Sequence, residues 1–154
     1  MIKKIEIGLL VSLVFLDALS KTLISSMIHY GDTITVIKDF FWLTYLKNTG
    51  AAWSLFQGQK YLFLLVAIIG MLIMGYFFIK SDTKNVWLRI ALILMFAGTL
   101  GNFMDRLLYG SVRDFLSFNT FGYMFPVFNV ADMALNIGVV CLVIESFITG
   151  KKHA

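Results

Sequence analysis

Residues 61–79 contain no charged side chain, and so long an apolar run leaves few folds open. About 20 mostly apolar residues in a helix cross the hydrocarbon core of a bilayer. Lipid offers the backbone no hydrogen-bonding partner, so a spanning segment is a helix or part of a closed barrel. The run lacks the alternation of a barrel strand and reads as a helix. Three other apolar stretches, 7–27, 86–108 and 131–148, are long enough to do the same. Ionisable residues interrupt them: Asp17 and Lys21 in the first, Arg89, Asp105 and Arg106 in the second, Asp132 and Glu145 in the third. Hydrophobic residues make up 59% of the chain and charged ones 14%. Soluble domains have about 25% charged residues. The chain therefore reads as one integral membrane domain, 1–154, with no linker or repeat dividing it.

Lys3 and Lys4 before an apolar core also fit a secretory signal peptide. That reading is set aside, because no small-residue cleavage site follows and the core continues past Asp17. The net charge of +4 is not gathered into a patch, which excludes a nucleic-acid partner. Cys141 is the only cysteine and lies in an apolar run, so no disulfide framework or thiolate metal site is expected. His29 and His153 are isolated. No metal, no cofactor and no Ser-His-Asp arrangement is expected.

An even number of spans places both termini on one side, together with Lys3, Lys4, Lys80, Lys84, Arg89, Lys151 and Lys152. The positive-inside rule makes that side the cytoplasm, with Lys38, Lys47, Lys60 and Arg113 on the other. The outer segments are then 28–60 and 109–131. Residues 33–37 and 40–46 are rich in β-branched and aromatic side chains, which predicts a small sheet on the outer face. Trp42, Tyr45 and Trp53 suit an interfacial belt. In the second outer segment, Val112, Phe115 and Leu116 form one edge of an expected short helix, with Asp114 pointing off it. The expected fold is thus an all-α membrane protein of four transmembrane helices, with a small extracytoplasmic β-sheet and a short extracytoplasmic helix.

The polar residues of the spans are not scattered. An Asp, Lys or Arg at a helix centre costs about 2.5–3.5 kcal/mol on insertion scales, so such residues pair, face the bundle interior or serve function. The predicted topology puts Lys21, then Asn102, Asp105 and Arg106, then Asn129 and Asp132, at one depth near the outer leaflet. Asn102, Asp105 and Arg106 share a helix face, as do Asp17 and Lys21. Asn129, Asp132 and Asn136 share one if the last helix starts early enough. Gly98 and Gly101 allow close helix packing beside them. Asp17 and Lys21 read as an ion-paired brace. Asp105 and Arg106 fit either support or chemistry, and the segment Lys47-Asn-Thr-Gly50 fits a turn. Spacing alone leaves Asp114 and Asp132 open between a structural and a catalytic role. It also leaves open a small transporter or assembly factor that uses intramembrane carboxylates.

At these residues the chain resembles a known family. Leu43-Thr-Tyr-Leu-Lys-Asn-Thr-Gly-Ala-Ala-Trp53, Gly101-Asn-Phe-Met-Asp-Arg106 with Val112-Arg-Asp-Phe115, and Phe128-Asn-Val-Ala-Asp132 resemble, in order, the motifs of the bacterial lipoprotein signal peptidases, or signal peptidase II. The first-helix motif departs: the family has Asp-Gln before its Lys, whereas Ala18 follows Asp17 here. The resemblance implies an intramembrane aspartic endopeptidase with Asp114 and Asp132 as the catalytic pair. Asn102, Asp105, Arg106, Asn129, Asp17 and Lys21 would support it, and Asn48 would bind substrate. The implied substrate is a diacylglyceryl-modified prolipoprotein, cut just before its lipidated cysteine. The implied setting is the bacterial cytoplasmic membrane, with a monomer in contact with membrane lipid, an active site near the outer leaflet, and inhibition by globomycin-type peptides. Base and acid are left open between the two aspartates.

Overall fold

The computed structural model describes residues 3–51 and 55–150. Its elements in chain order are α1 (Lys4–Met27), β1 (Thr33–Ile37), β2 (Phe41–Asn48), α2 (Lys60–Lys80), α3 (Val86–Tyr109), β3 (Val112–Thr120), β4 (Tyr123–Met124) and α4 (Val130–Gly150). All four helices are long and apolar enough to cross a membrane. Trp53, Lys151, Lys152 and His153 lie outside the described residues.

The helices are exposed along most of their apolar length, as lipid-facing helices are. The exception is α3, whose buried residues run from Arg89 to Asp105. It is the central helix, with α1, α2 and α4 packed on it. Small residues make the closest crossings possible. A Cβ on Gly98 would run into the Ala131 carbonyl and Leu135 of α4. A Cβ on Gly101 would meet the Asp17 carboxylate and Ala131.

The sheet is antiparallel, in the order β1-β2-β3-β4. β1 and β2 form where the β-branched and aromatic runs predicted. The expected short helix is absent: residues 112–120 form β3. Helical spacing of Val112, Phe115 and Leu116 was one available reading, but the local pattern was too short to decide it. β2 offers a free edge, and β3 takes it, pairing Asn48 with Val112, Leu46 with Asp114 and Phe41 with Phe118. Backbone groups satisfied in a ladder outweigh a short helix with four unsatisfied groups at each end. Rings of Phe41, Phe118 and Phe128 then stack, at 4.5 and 5.8 Å between successive centroids. Tyr45 is buried, edge-on against Tyr30.

Two junctions aim the sheet at the helices. Gly110 ends α3 in the left-handed region, φ 75°, which a glycine adopts at no steric cost. The chain can therefore reverse within three residues and bring Arg113 back onto Asp105. At the other junction Phe128 pairs with Leu116, its N–H donating to the Leu116 carbonyl at 3.0 Å. That bridge delivers the chain into α4 beside β3.

Candidate active site

The site forms where α1, α3, α4 and the sheet meet, and it is a single hydrogen-bonded network. Lys21 is wholly buried. Its ammonium donates to Asp17 Oδ2 at 2.8 Å and to Asn102 Oδ1 at 3.0 Å, with Asp105 Oδ2 at 3.7 Å. Asp105 is held in turn by Arg113, whose Nη2 lies 2.8 Å from Oδ1 and whose Nε and backbone N–H both reach Oδ2. Asp17, Asp105, Lys21 and Arg113 thus balance in charge, two acids against two bases. Isolated charges in such a place would be far costlier.

Asp17 does more than pair with Lys21. Its Oδ1 accepts the Ala131 N–H at 2.9 Å, so α1 satisfies one of the orphan donors at the start of α4. Asn129 caps the same helix. Its Oδ1 accepts the Asp132 N–H at 3.0 Å, and Asp132 Oδ2 accepts the Asn129 N–H at 3.2 Å. This is a reciprocal capping box with Asn and Asp in place of the commoner Ser or Thr and Glu. Asn129 is therefore the cap before α4, not part of a helical face with Asp132 and Asn136.

The two amides also orient the two free aspartates. Asn102 Nδ2 donates to Asp132 Oδ1 at 2.7 Å. Asn129 Nδ2 donates to Asp114 Oδ1 at 2.6 Å, and Asn48 Nδ2 donates to Asp114 Oδ2 at 3.0 Å. Asn48 meanwhile accepts the Gly50 N–H, so the predicted turn is present and serves to aim its amide. Burial, and after it the charge of Asp132, push the Asp114 carboxyl up to about 7, against the opposing pull of its two amide donors.

Asp114 and Asp132 line a cleft of about 1140 Å³, together with Asn48, Asn102, Arg106 and Phe128. Arg106 closes one side. Its Nη2 donates to the Gly50 carbonyl at 2.9 Å, and its guanidinium lies 4.5 Å from the Phe63 ring centroid. Its Nε is buried without a hydrogen-bond partner among the described residues.

All nine residues singled out from the sequence belong to this network or its cleft. Arg113 was missed as a member. It was counted only among the charges on the outer side, whereas it is the principal partner of Asp105. Its signal was its place one residue before Asp114, in a strand whose alternation turns the two to opposite faces. The other intramembrane charges lie away from this site. Arg89 makes a two-armed ion pair with Glu6, at 2.7 and 2.9 Å, and Glu145 accepts from Asn85 at 2.8 Å.

Comparison with known proteins agrees with the architecture. The family model described as signal peptidase (SPase) II matches residues 9–148. The chain belongs to the signal peptidase II family. Lipoprotein signal peptidases of Staphylococcus aureus, strains JH9 and Newman among them, are 42% identical over 134 residues, covering 87% of this chain and 82% of theirs. Two solved structures share the fold, both described as bacterial membrane enzymes studied by the in meso method. The one at 2.3 Å resolution has a TM-score of 0.91 at 39% identity, covering 97% of this chain and 91% of its own. The one at 1.9 Å has a TM-score of 0.83 at 42% identity, covering 90% of each. Signal peptidase II enzymes are membrane proteases, and membership brings that class of activity, lipoprotein processing, to a multi-pass bacterial membrane protein.

Proposed function

We propose that this chain is an aspartic endopeptidase that removes the signal peptide of diacylglyceryl-modified prolipoproteins, cutting before the lipidated cysteine, with Asp114 and Asp132 as its catalytic pair. The observation that carries the reading is charge balance. The supporting quartet of Asp17, Lys21, Asp105 and Arg113 is neutral by itself. Two cations line the cleft: Lys47 is exposed and sits over the Tyr30 ring, and Arg106 is the buried-side cation that faces the two carboxyls. Arg106 and the two carboxyls are together neutral when the pair holds one proton, the state an aspartic mechanism needs. A carboxyl at Asp114 that keeps its proton up to about pH 7 fits this state.

The same geometry suggests the roles. Asp132 accepts two N–H donors at the first turn of α4, where the helix dipole favours an anion. It acts as the base that takes a proton from water, and the water attacks the scissile carbonyl. Asp114 gives its proton to the carbonyl oxygen, and the pair then protonates the leaving amine. Arg106 and Asn48 hold the substrate backbone. The site lies toward the outer leaflet with the sheet on the outer face. Water reaches it from outside, and the lipidated substrate enters from the side.

The test is cleavage of a synthetic diacylglyceryl-prolipoprotein by the purified protein, with globomycin as the inhibitor control. Wild type cleaves before the lipidated cysteine. Asp114→Asn and Asp132→Asn lose at least 10²-fold, the low end of what a positioned acid or base contributes. Full activity in either variant removes that aspartate from the pair.

A further inference from the structure

A second groove, of about 420 Å³, runs between α2 and α3 and shares Asn102, Arg106 and Leu135 with the catalytic cleft. Phe63 and Arg106 stand at its head, in contact with each other. Met74 and Met95 stand at its foot. On both helices head and foot are eleven residues apart, a rise of about 16 Å. That is roughly half the 30 Å hydrocarbon thickness. Its polar end is at the cleft, and apart from Thr99 the rest of its lining is apolar or glycine.

We infer that this groove seats one acyl chain of the substrate's diacylglyceryl group, and that Gly70 sets how long a chain it accepts. The inference rests on the proposed lipoprotein-processing function. Three features select this occupant. The groove is one leaflet deep, whereas a signal helix must cross both leaflets. It is too small for a helix, whose diameter with side chains is about 10–12 Å. Its head also shares Asn102 and Arg106 with the cleft that the two aspartates line, which is where a chain attached to the residue after the scissile bond would emerge. Gly70 lies about two-thirds of the way down from Phe63 toward Met74, and a Cβ there would meet only the Met74 methyl, at 3.9 Å. A larger side chain at Gly70 can therefore occupy the groove without disturbing the helix pair.

The groove positions the chain rather than attracting it, because lipid tails are as apolar as its walls. A chain forced out of it drags the scissile bond off register, and a misplacement of about 1 Å can cost up to 10²-fold in rate. The experiment compares substrates carrying hexadecanoyl or octanoyl chains, cleaved by wild type, Gly70→Leu and Gly75→Leu. Gly75 is on the same helix, outside the groove, with nothing near its Cβ position. Gly70→Leu is expected to lower kcat/KM for the long-chain substrate roughly tenfold or more relative to the short-chain one. Gly75→Leu is expected to match wild type on both. An equal loss on both substrates overturns the inference and makes the groove a seat for bulk membrane lipid. Unchanged Gly70→Leu kinetics overturn it as well. Failure of wild type to cleave either substrate instead refutes the proposed function.

Discussion

Lys21 is the keystone of the network, so the Asp17–Lys21 pair offers the most demanding test of it. Asp17→Ala leaves the Lys21 ammonium with one neutral acceptor, Asn102 Oδ1 at 3.0 Å, and with Asp105 at 3.7 Å, already engaged by Arg113. Removing one member of a buried ion pair costs about 3–5 kcal/mol. The residual contact with Asp105 lowers that figure, and loss of the cap on the Ala131 N–H adds about 1 kcal/mol, for a total near 3. Lys21→Met leaves Asp17 and Asp105 with less compensation in the same low-dielectric region, at a similar cost of about 3 kcal/mol. The double variant strands no charge on either side, and what remains is mainly the lost cap and imperfect packing, about 3 kcal/mol in all. The double-mutant cycle should therefore show a coupling of about 3 kcal/mol. The assay is SDS-driven unfolding of the four purified proteins in mixed micelles at one pH. Additivity within about 0.5 kcal/mol would mean that Lys21 does not depend on Asp17. Asp17→Asn should be milder than Asp17→Ala, because its amide oxygen can still cap Ala131.

Four further outcomes follow from the same geometry. The Asp114 carboxyl keeps its proton below about pH 7 and loses it above, so kcat/KM should fall as pH rises through that value; Asn48→Ala, which removes a donor to the carboxylate, should move this limb to higher pH, and a downward shift would contradict the assigned contact. The raised carboxyl also makes folding stability from this group fullest below its unfolded value near 4 and progressively lost as pH rises through about 7, a trend that Asp114→Asn should flatten in the same unfolding assay. Gly101→Val should destabilise by about 2 kcal/mol or more, because its side chain must displace the Asp17 carboxylate and Ala131; a neutral result would show that α1 and α3 are not so close. Arg113→Lys keeps the charge but not the fork on Asp105, and should lower both stability and kcat by shifting β3 and with it Asp114, whereas retained kcat would separate the two.

Much of this could be read along the chain. Four membrane-capable helices, the first two strands and the gathering of Lys21, Asn102, Asp105, Arg106, Asn129 and Asp132 at one level of the bundle all follow from hydropathy and spacing. Intramembrane polarity is so costly that its positions carry information, and helical periodicity converts position into face. The misreadings share another cause. β3 was taken for a helix because a strand's partner edge, here β2, lies more than sixty residues away in sequence. Arg113 was missed as the partner of Asp105 because the two lie on either side of the reversal at Gly110. Asn129 was placed on a helix face because caps and first turns differ by one residue, which hydropathy does not resolve.

The sequence by itself determined the solvent of this protein, the number of its membrane-capable helices, and which residues could not be there by chance. It also contained the motifs of its family. Only the tertiary structure decided what each polar group does. It made Asp17 the cap of a helix more than a hundred residues away, paired Asp105 with Arg113, and left Asp114 and Asp132 as the two carboxyls on the cleft with no cation of the described residues bound directly to either. The reason is physical. Burial in lipid is a property of composition, legible one residue at a time, whereas a hydrogen bond is a relation between two groups whose distance the chain sets only when it has folded.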